Sequence, residues 1–520
     1  MTIRTDAPTD GVTAEEHDPV LSQIIYNYEL TLNREMGRAV VNLSGSPLFV
    51  GASDFACGCL DAEGNILTSI AWSLQMGYAV SNTVRASLRR YKDDIHPGDM
   101  IFCNDPYAGG GLHSSDVVVV APVFADGELA AWVGVSAHVT DVGGAVPGGF
   151  SVEPMECYGE NIRFTPVKFY EKGVYRGDIV DAFLTNVRLP ERTGIDLKAL
   201  MGATWIGRER MEALFAQYGA DRVRAIHAGQ IQQSERAMRK RLAELPDGVY
   251  EGAAHMEHDG AEDRIYTIRM RVTKEGDSIT FDYTGTDPQL AAALNLPAFG
   301  ERHPFLATTL LYHILTEDPD IPLPAAGAGQ AAIVVLAAHD RRKGLTRVSV
   351  LEPISGGGGG LPGQDGCDAN DVSSAFLRNA PVESIERHLP VLVERYDLVP
   401  DSAGAGEHRG GFGVQIHFRV LEDDSVVTCR GLERFRFRPW GVYGGLPGSP
   451  GRAVLNPGTE GERDLGKITA ARFRAGDVVA IIGAGGGGYG DPLRRDPQRV
   501  LADWRAGLLS EEAARQDYGV

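Results

Sequence analysis

Residues 104–144 read NDPYAGGGLHSSDVVVVAPVFADGELAAWVGVSAHVTDVGG. The stretch opens on a turn, Asn104-Asp105-Pro106, followed by three glycines, Gly109 to Gly111. His113-x-x-Asp116 comes next, then the apolar run Val117 to Val120, Asp126-Gly127, a second apolar run and His138-x-x-Asp141. Asp-Gly between two β-branched runs predicts a hairpin with a two-residue loop. Ala125 then pairs with Glu128, and counting outward sets His138 opposite Ser115. His113 lies two positions further along and on the same face, because side chains alternate with period two. Diagonal neighbours on one face are roughly 7–8 Å apart, close enough for two imidazoles to meet one ion. In a regular strand Asp116 points to the other face, so it joins them only if the chain bends, as the glycine run allows. Two His and a carboxylate are ligand chemistry for a divalent transition metal. The same spacing also fits two turns in which Asp bonds its own backbone.

The chain has 520 residues, more than one core accommodates, so two or three domains are expected. Its hydrophobic content of 43% and charged content of 23% are those of a soluble globular protein. A formal charge of −20 argues against nucleic acid or an anionic membrane as partner. Six Cys make no disulfide framework, and Cys57 and Cys59, two apart, share a strand face without bridging. The polar, acidic start has no apolar core of a signal peptide, and the longest apolar run, Ala331 to Ala338, is too short to span a bilayer. A cytoplasmic protein is expected. Sixty-four Gly exceed the usual share of about 7% and predict many loops and close backbone approaches.

Residues 1–17 read as a disordered lead. Asp18-Pro19 reads as an N-cap with Pro at the first helical position, and Val20, Leu21, Ile24, Ile25, Tyr28, Leu32, Met36 and Val40 recur at helical spacing to about Val41. A strand and turn follow at Ser53 to Gly64, a helix at 80–92, and a strand from Met100 to Cys103 that delivers the hairpin. These, with residues up to 193, form an N-terminal metal-binding α+β domain, 18–193. Residues 194–245 are a helical segment ended by Leu245-Pro246-Asp247-Gly248. Residues 246–388 form a central α+β domain with strands over 249–286, a helix over 301–316 and a buried strand at Ala331 to Ala338. Residues 389–520 are a β-rich C-terminal domain with terminal helices from about Arg499. The fold class is α+β: multidomain mixed α/β with largely antiparallel sheets.

Several patterns invite a function and lose it on inspection. His255-x-x-His258 faces two ways on a strand. Gly461-x4-Gly466-Lys467 nearly spells a phosphate-binding loop, but Ile468 stands where the hydroxyl must be. Gly483-x-Gly485-x-x-Gly488 runs into Tyr489-Gly490-Asp491-Pro492, which cannot begin a helix. Gly356 to Gly360 allows close approach to a ligand or a neighbouring chain, or forms a plain loop. Arg434, Arg436 and Arg438 alternate with Phe435 and Phe437 as one basic strand face, suited to charge pairing or an anion.

NDPY-x-GG-x-x-H-x-x-D, with the His-bearing strand end and Gly-Gly about two dozen residues on, resembles the hydantoinase B family. Its relatives are the corresponding domain of 5-oxoprolinase and the metal-carrying subunit of acetone and acetophenone carboxylases. The likeness extends through Glu156 to Glu160, Pro381-Val382-Glu383, Asp401 to Gly406 with Arg409-Gly410-Gly411, and Gly488 to Pro492. It implies His113, Asp116, His138 and Asp54 as metal ligands, for manganese, zinc or iron. Asp141 is an alternative member of that shell, and Asp141 and Glu160 are candidates for catalytic roles, with Glu153 and Glu156 beside the latter. Asn104, Tyr107 and Asn379 are candidate substrate contacts. Asn161 stands where the family has Gly, and Asp371 to Asn379 departs from its usual pattern, so the substrate stays open. The implied activity is ATP-dependent hydrolysis of a cyclic amide such as a hydantoin, oxoproline or lactam. ATP and magnesium would be held by a hydantoinase A-like partner subunit in a hetero-oligomer, not by this chain. The alternatives are an ATP-dependent ketone carboxylase, a non-haem iron oxygenase and a catalytically silent scaffold subunit.

Overall fold

Asp18 starts the first helix as its place before Pro19 predicts: its carboxylate accepts from the N–H groups of Val20 and Leu21 at 3.1 and 3.0 Å. Helix α1 runs from Pro19 to Leu43. Leu21, Ile25, Leu32, Met36 and Val40 are buried, whereas Val20 and Ile24, expected in the same stripe, lie on the outer side. The computed structural model describes residues 18–44, 46–71, 74–111, 113–148, 156–257, 262–290, 323–329, 331–341, 343–370, 381–432, 434–468 and 470–520. The expected lead at 1–17 and helix at 301–316 lie outside them.

The chain divides into two compact units. The first takes in residues 1–143, 161–251 and 270–284. Its centre is a seven-stranded antiparallel sheet. The strands are β1 (Phe55–Asp61), β2 (Ile66–Ala71), β3 (Met100–Cys103), β4 (Asp116–Ala125), β5 (Glu128–His138), β6 (Val167–Glu171) and β7 (Val174–Tyr175), in the spatial order β2-β1-β5-β4-β3-β6-β7. Helix α2 spans Leu74–Tyr91, starting six residues before the expected 80, and covers one face over Val118, Val120 and Trp132. Helix α3 spans Gly177–Leu184. Helices α4 (Pro190–Tyr218) and α5 (Ala220–Ala243) break at Gly219, whose φ is 87°. The other face is covered by α1 and α4; a Cβ on Gly207 of α4 would overlap Met36 of α1 and reach within 3.4 Å of Val133. Helices on both faces explain why Val117 to Val120 is an unbroken apolar run rather than an alternating one. Strands β8 (Gly248–Glu257), β9 (Ile265–Glu275) and β10 (Ser278–Asp282) form a separate three-stranded sheet.

The second unit takes in residues 144–160, 252–269 and 285–520. Strands β11 (Ala331–Asp340), β12 (Leu345–Ser355), β13 (Val391–Leu398), β14 (Val414–Val420), β15 (Ser425–Arg430), β16 (Arg452–Leu455), β17 (Arg463–Asp464), β18 (Ala471–Phe473) and β19 (Val478–Ile482) make two antiparallel sheets. Their orders are β12-β11-β15-β18 and β13-β14-β19-β16-β17. Val334, Leu336, Ile416, Phe418, Val427 and Ile481 share one core between them. A short helix α6 (Val382–His388) packs on that core through Ile385. The chain closes with α7 (Pro497–Arg505) and α8 (Glu511–Tyr518). Arg495 ties these helices down, pairing with Asp365 at 2.7 Å and Asp503 at 3.0 Å.

Beside those sheets lies a core built almost without side chains. Segments 325–328, 356–360, 404–413, 441–448 and 483–490 run against one another and hydrogen-bond main chain to main chain. Ala325 N–H reaches Gly360 O at 2.8 Å, Gly360 N–H reaches Gly487 O at 2.9 Å, and Gly487 N–H reaches Ala326 O at 2.8 Å. Gly411 N–H reaches Gly358 O at 2.7 Å, and Gly486 N–H reaches Gly411 O at 2.9 Å. The glycines are required by proximity rather than by conformation: a Cβ on Gly357, Gly359, Gly411 or Gly486 would overlap a neighbouring main-chain carbonyl. The five-glycine run thus packs against its own chain, and Gly485 to Gly488 does the same.

Arg434 to Arg438 is not a strand. The buried carboxylate of Glu257 accepts from the N–H groups of Phe435, Arg436 and Phe437 at 2.8–2.9 Å, which curls this segment around it. The three guanidiniums are spent separately: Arg434 on Ala328 O, Arg436 on Asp263 and Arg438 on Gly448 O. Among the described residues no helix is long and apolar enough to cross a membrane.

Candidate metal centre

The hairpin turns where its sequence predicts. Asp126 and Gly127 have φ of 53° and 84°, the left-handed pair of a two-residue turn, and Ala125 pairs with Glu128. The register then departs from the expected one. Phe124 pairs with Leu129 but Val123 pairs with Ala131, leaving Ala130 as an extra residue on β5. Beyond this bulge every partner is moved by one, so His138 faces Asp116 and not Ser115. A one-residue slip exchanges the two faces of a strand. The expectation that Asp116 points away from His138 is therefore overturned by Ala130, and no bend at Asp116 is needed.

His113 enters from the preceding turn, closed by Asp116 N–H donating to His113 O at 2.9 Å. Its Nε2 lies 3.3 Å from Asp116 Oδ1, and His138 Nδ1 lies 3.1 Å from the same oxygen. The two rings are 4.8 Å apart between centroids, inclined by 62°. One ligand atom from each of the three groups falls within 4.8 Å of the others. Asp116 and His138 are buried, and the His113 side chain is 12% exposed. The glycines before it are forced: a Cβ on Gly111 would overlap Asp116 Cβ, and one on Gly110 would lie 2.8 Å from the Asn104 carbonyl carbon.

The other expected residues are placed differently. Asp54 is buried next to His138 and meets it through the main chain, its carbonyl accepting from His138 N–H at 3.1 Å. Its carboxylate is not one of the three clustered groups. Asp141 is fully buried; its carboxylate accepts from Gly143 N–H and Arg188 N–H at 3.0 Å and pairs with the Arg188 guanidinium at 3.2 Å. Asn104 is fully buried in main-chain contacts. Tyr107 is 57% exposed, with the Arg163 guanidinium 5.7 Å from its ring. Glu160 is half-buried and belongs to the second unit, where its N–H donates to Cys157 O at 3.3 Å. Glu156, in the same segment, is exposed. Asn379 and Glu153 lie outside the described residues, as does His258.

With this site drawn, comparison with known proteins becomes specific. The family model described as hydantoinase B/oxoprolinase matches residues 18–323 and 305–492. The chain belongs to that family. The caprolactamase beta chain of Pseudomonas jessenii is 30% identical, over 97% of this chain and 96% of its own. The B component of a putative D-/L-hydantoinase from Pseudomonas sp. (strain NS671) is 27% identical, over 97% and 95%. The crystal structure of ATP-dependent caprolactamase from Pseudomonas jessenii matches with a TM-score of 0.88 at 27% identity, over 97% of this chain and 96% of that one. The nucleotide-free acetone carboxylase structure matches at a TM-score of 0.83 over 97% and 80%, and at 18% identity this is a likeness of fold. The caprolactamase and hydantoinase relatives of this family are thus subunits of multi-subunit enzymes.

Four residues of this family member were not singled out by their sequence. Ser114, Ser115, Ser136 and Thr140 are at most 3% exposed, and their hydroxyls have no hydrogen-bond partner among the described residues. All four lie within two residues of His113, Asp116 or His138. Leaving a buried hydroxyl unpaired costs about 1–3 kcal/mol, so each of these is a donor without a protein acceptor among the described residues. Serine and threonine carry no such signal in the sequence on their own. Thiols are poor nucleophile candidates here, because burial drives Cys57 and Cys59 well above the ordinary thiol range and pushes Cys103 up to about 12.

Proposed function

We propose that this chain is the metal-bearing subunit of an ATP-dependent cyclic amidohydrolase of the hydantoinase, 5-oxoprolinase or lactamase type. The observation that carries the reading is the convergence of His113, Asp116 and His138 in a chain similar over nearly its whole length to caprolactamase and hydantoinase subunits. The donor set fits: two imidazole nitrogens and a carboxylate oxygen suit manganese, iron or zinc. A divalent ion held there would polarise a carbonyl oxygen or lower the pKa of a bound water.

The chain's own residues supply the rest. Asp116 turns both imidazoles toward one oxygen and provides the compensating negative charge. His113 is the least buried of the three and would be the one a substrate meets first. The hydroxyls of Ser114, Ser115, Ser136 and Thr140 offer donors to a carbonyl oxygen or a leaving nitrogen. Asp54 and Asp141 hold the segments on either side of His138. A ring amide is resonance-stabilised, so phosphorylation of its oxygen by a hydantoinase A-like partner holding ATP and magnesium would precede hydrolysis.

A second reading, a subunit of a ketone carboxylase, is favoured by the acetophenone carboxylase delta subunit of Aromatoleum aromaticum, 24% identical over 90% of this chain and 81% of its own. Coverage tips the balance, since this chain spans 96% of the caprolactamase chain and 80% of the acetone carboxylase chain. The test is reconstitution with the partner subunit, ATP and a panel of caprolactam, 5-oxoproline and hydantoin. Ring-opened product formed with ADP, and lost in His138→Ala, is the expected result. Product that forms only with bicarbonate and carries an added carboxylate would establish the carboxylase reading instead.

A further inference from the structure

We infer that Asn104 is a positioning residue for the metal centre, an assignment that rests on reading His113, Asp116 and His138 as ligands. Asn104 follows β3 directly and is fully buried. Its side-chain amide donates to Ser114 O at 2.8 Å and to Ile162 O at 2.9 Å, and its Oδ1 accepts from Phe164 N–H at 2.7 Å. The main chain runs alongside, with the N–H groups of Asn104 and Asp105 both reaching Phe164 O, at 3.1 and 3.2 Å. One amide therefore fastens three segments: the end of β3, the turn 113–115 and the stretch 162–164.

Residues 113–115 lie outside any strand, and the carbonyl of each accepts a hydrogen bond, from Asp116 N–H, the Asn104 amide and Val139 N–H respectively. Ser114 follows His113 directly and precedes Asp116 by two, so a bond to its carbonyl acts on the turn that carries both. The neighbouring ties continue the same stitching: Val139 N–H reaches Ser115 O at 2.9 Å, and Ile162 N–H reaches Val142 O at 3.0 Å. Both N–H donors of the Asn104 amide are spent on main-chain carbonyls, leaving none for a substrate. Its effect thus passes through the turn that carries His113, as hydrogen bonds behind a ligand commonly orient it.

The test uses the full-length chain and Mn2+ alone, followed by titration calorimetry and by the Mn2+ electron paramagnetic resonance spectrum. Asn104→Asp keeps the shape and the acceptor for Phe164 but turns an acceptor toward the carbonyls of Ser114 and Ile162. Asn104→Ala removes all three bonds, with Asn104→Ser as the milder truncation if the alanine variant does not fold. Leu197→Ala, in the buried part of α4, is the control that lowers stability away from the turn. The Asn104 variants should weaken Mn2+ binding about 10–100-fold and broaden the spectrum, while Leu197→Ala matches their loss of Tm with wild-type affinity. Wild-type Mn2+ affinity in the Asn104 variants overturns the assignment, as does a loss of affinity in Leu197→Ala that follows its Tm. If the wild-type chain itself binds no divalent ion, the metal reading falls first and takes the clasp with it.

Discussion

Gly360→Ala tests the claim that the second unit contains a core packed main chain on main chain. A Cβ at this buried position would lie 2.5 Å from His408 O, 2.9 Å from Tyr489 N and 3.1 Å from Arg409 O. All three are main-chain atoms, so no side chain can rotate aside, and the nearest must retreat by roughly 0.9 Å to reach ordinary contact. Overpacking of this kind costs about 1–3 kcal/mol. The retreat also strains the paired bonds between His408 and Tyr489, at 3.0 and 2.8 Å. Each is worth about 0.5–1.5 kcal/mol. Against this, Ala restricts the unfolded chain, a gain of about 0.4–1 kcal/mol. The net loss is about 3 kcal/mol, or roughly 100-fold in the local opening equilibrium. Gly363→Ala, three residues on, is the internal control: its φ is 77°, with nothing within 4 Å of the added carbon. The left-handed conformation costs Ala about 1–2 kcal/mol, of which the unfolded-state gain offsets about half, leaving a net loss of roughly 1 kcal/mol or less. Hydrogen exchange read by mass spectrometry over 404–413 and 483–490 reports local opening without assuming that the two units unfold together. Exchange accelerated much more in Gly360→Ala than in Gly363→Ala is expected. Equal effects, or the reverse order, would mean that glycine is needed there for conformation and that the packing argument is wrong.

Asp116→Asn keeps the side-chain shape while removing the charge shared by the two imidazoles; Mn2+ affinity should fall by at least about 100-fold with little change in Tm. Deleting Ala130 removes the bulge and restores the register that sets His138 opposite Ser115, so Mn2+ binding should be lost, whereas two residues inserted between Asp126 and Gly127 should leave it intact. Asp196 is buried in α4; burial raises its carboxyl to about 6, against the lowering by its hydrogen bond from Ser44 and by Arg192. Its folded pKa lies above the unfolded 3.8, so the ionised form is disfavoured in the fold and stability falls as pH rises from 3.8 to about 6. Asp196→Asn should therefore stabilise the protein by about 3 kcal/mol above pH 6 and by nothing below pH 3.8, as seen in denaturation curves at pH 7.5 and 3.5.

What could be read from the residues alone was whatever short-range chemistry decides. Asp18 before Pro19 specifies a helix start, and Asp126-Gly127 specifies a hairpin tip, because capping and left-handed turns are local matters. His113, Asp116 and His138 stood out because their spacing and that tip together bring them near one another. The bulge was not legible: Ala130 is an ordinary strand residue in ELAAWVGVSAH, and with both faces of β4 and β5 buried the apolar pattern does not mark which register holds. The role of Gly356 to Gly360 was equally hidden, since its partners, Ala325 to Ala328 and Gly483 to Tyr489, lie far away in the chain. Asn104 reads as a turn residue or a substrate contact, and its bonds to Ile162 and Phe164, far away in the chain, are not legible there.

Ala130 makes hairpin length a matter of odd and even. Between the tip and the His113, Asp116 and His138 cluster, an added or lost residue moves every later side chain to the opposite face of the sheet, and a second one restores it. Length changes inherited within β4 or β5 should thus come in pairs, while the tip can grow freely. An alignment that puts a lone gap between Val117 and Ala137 would pair the wrong residues across the ribbon and misplace the counterparts of Asp116 and His138 in any relative it was used to interpret.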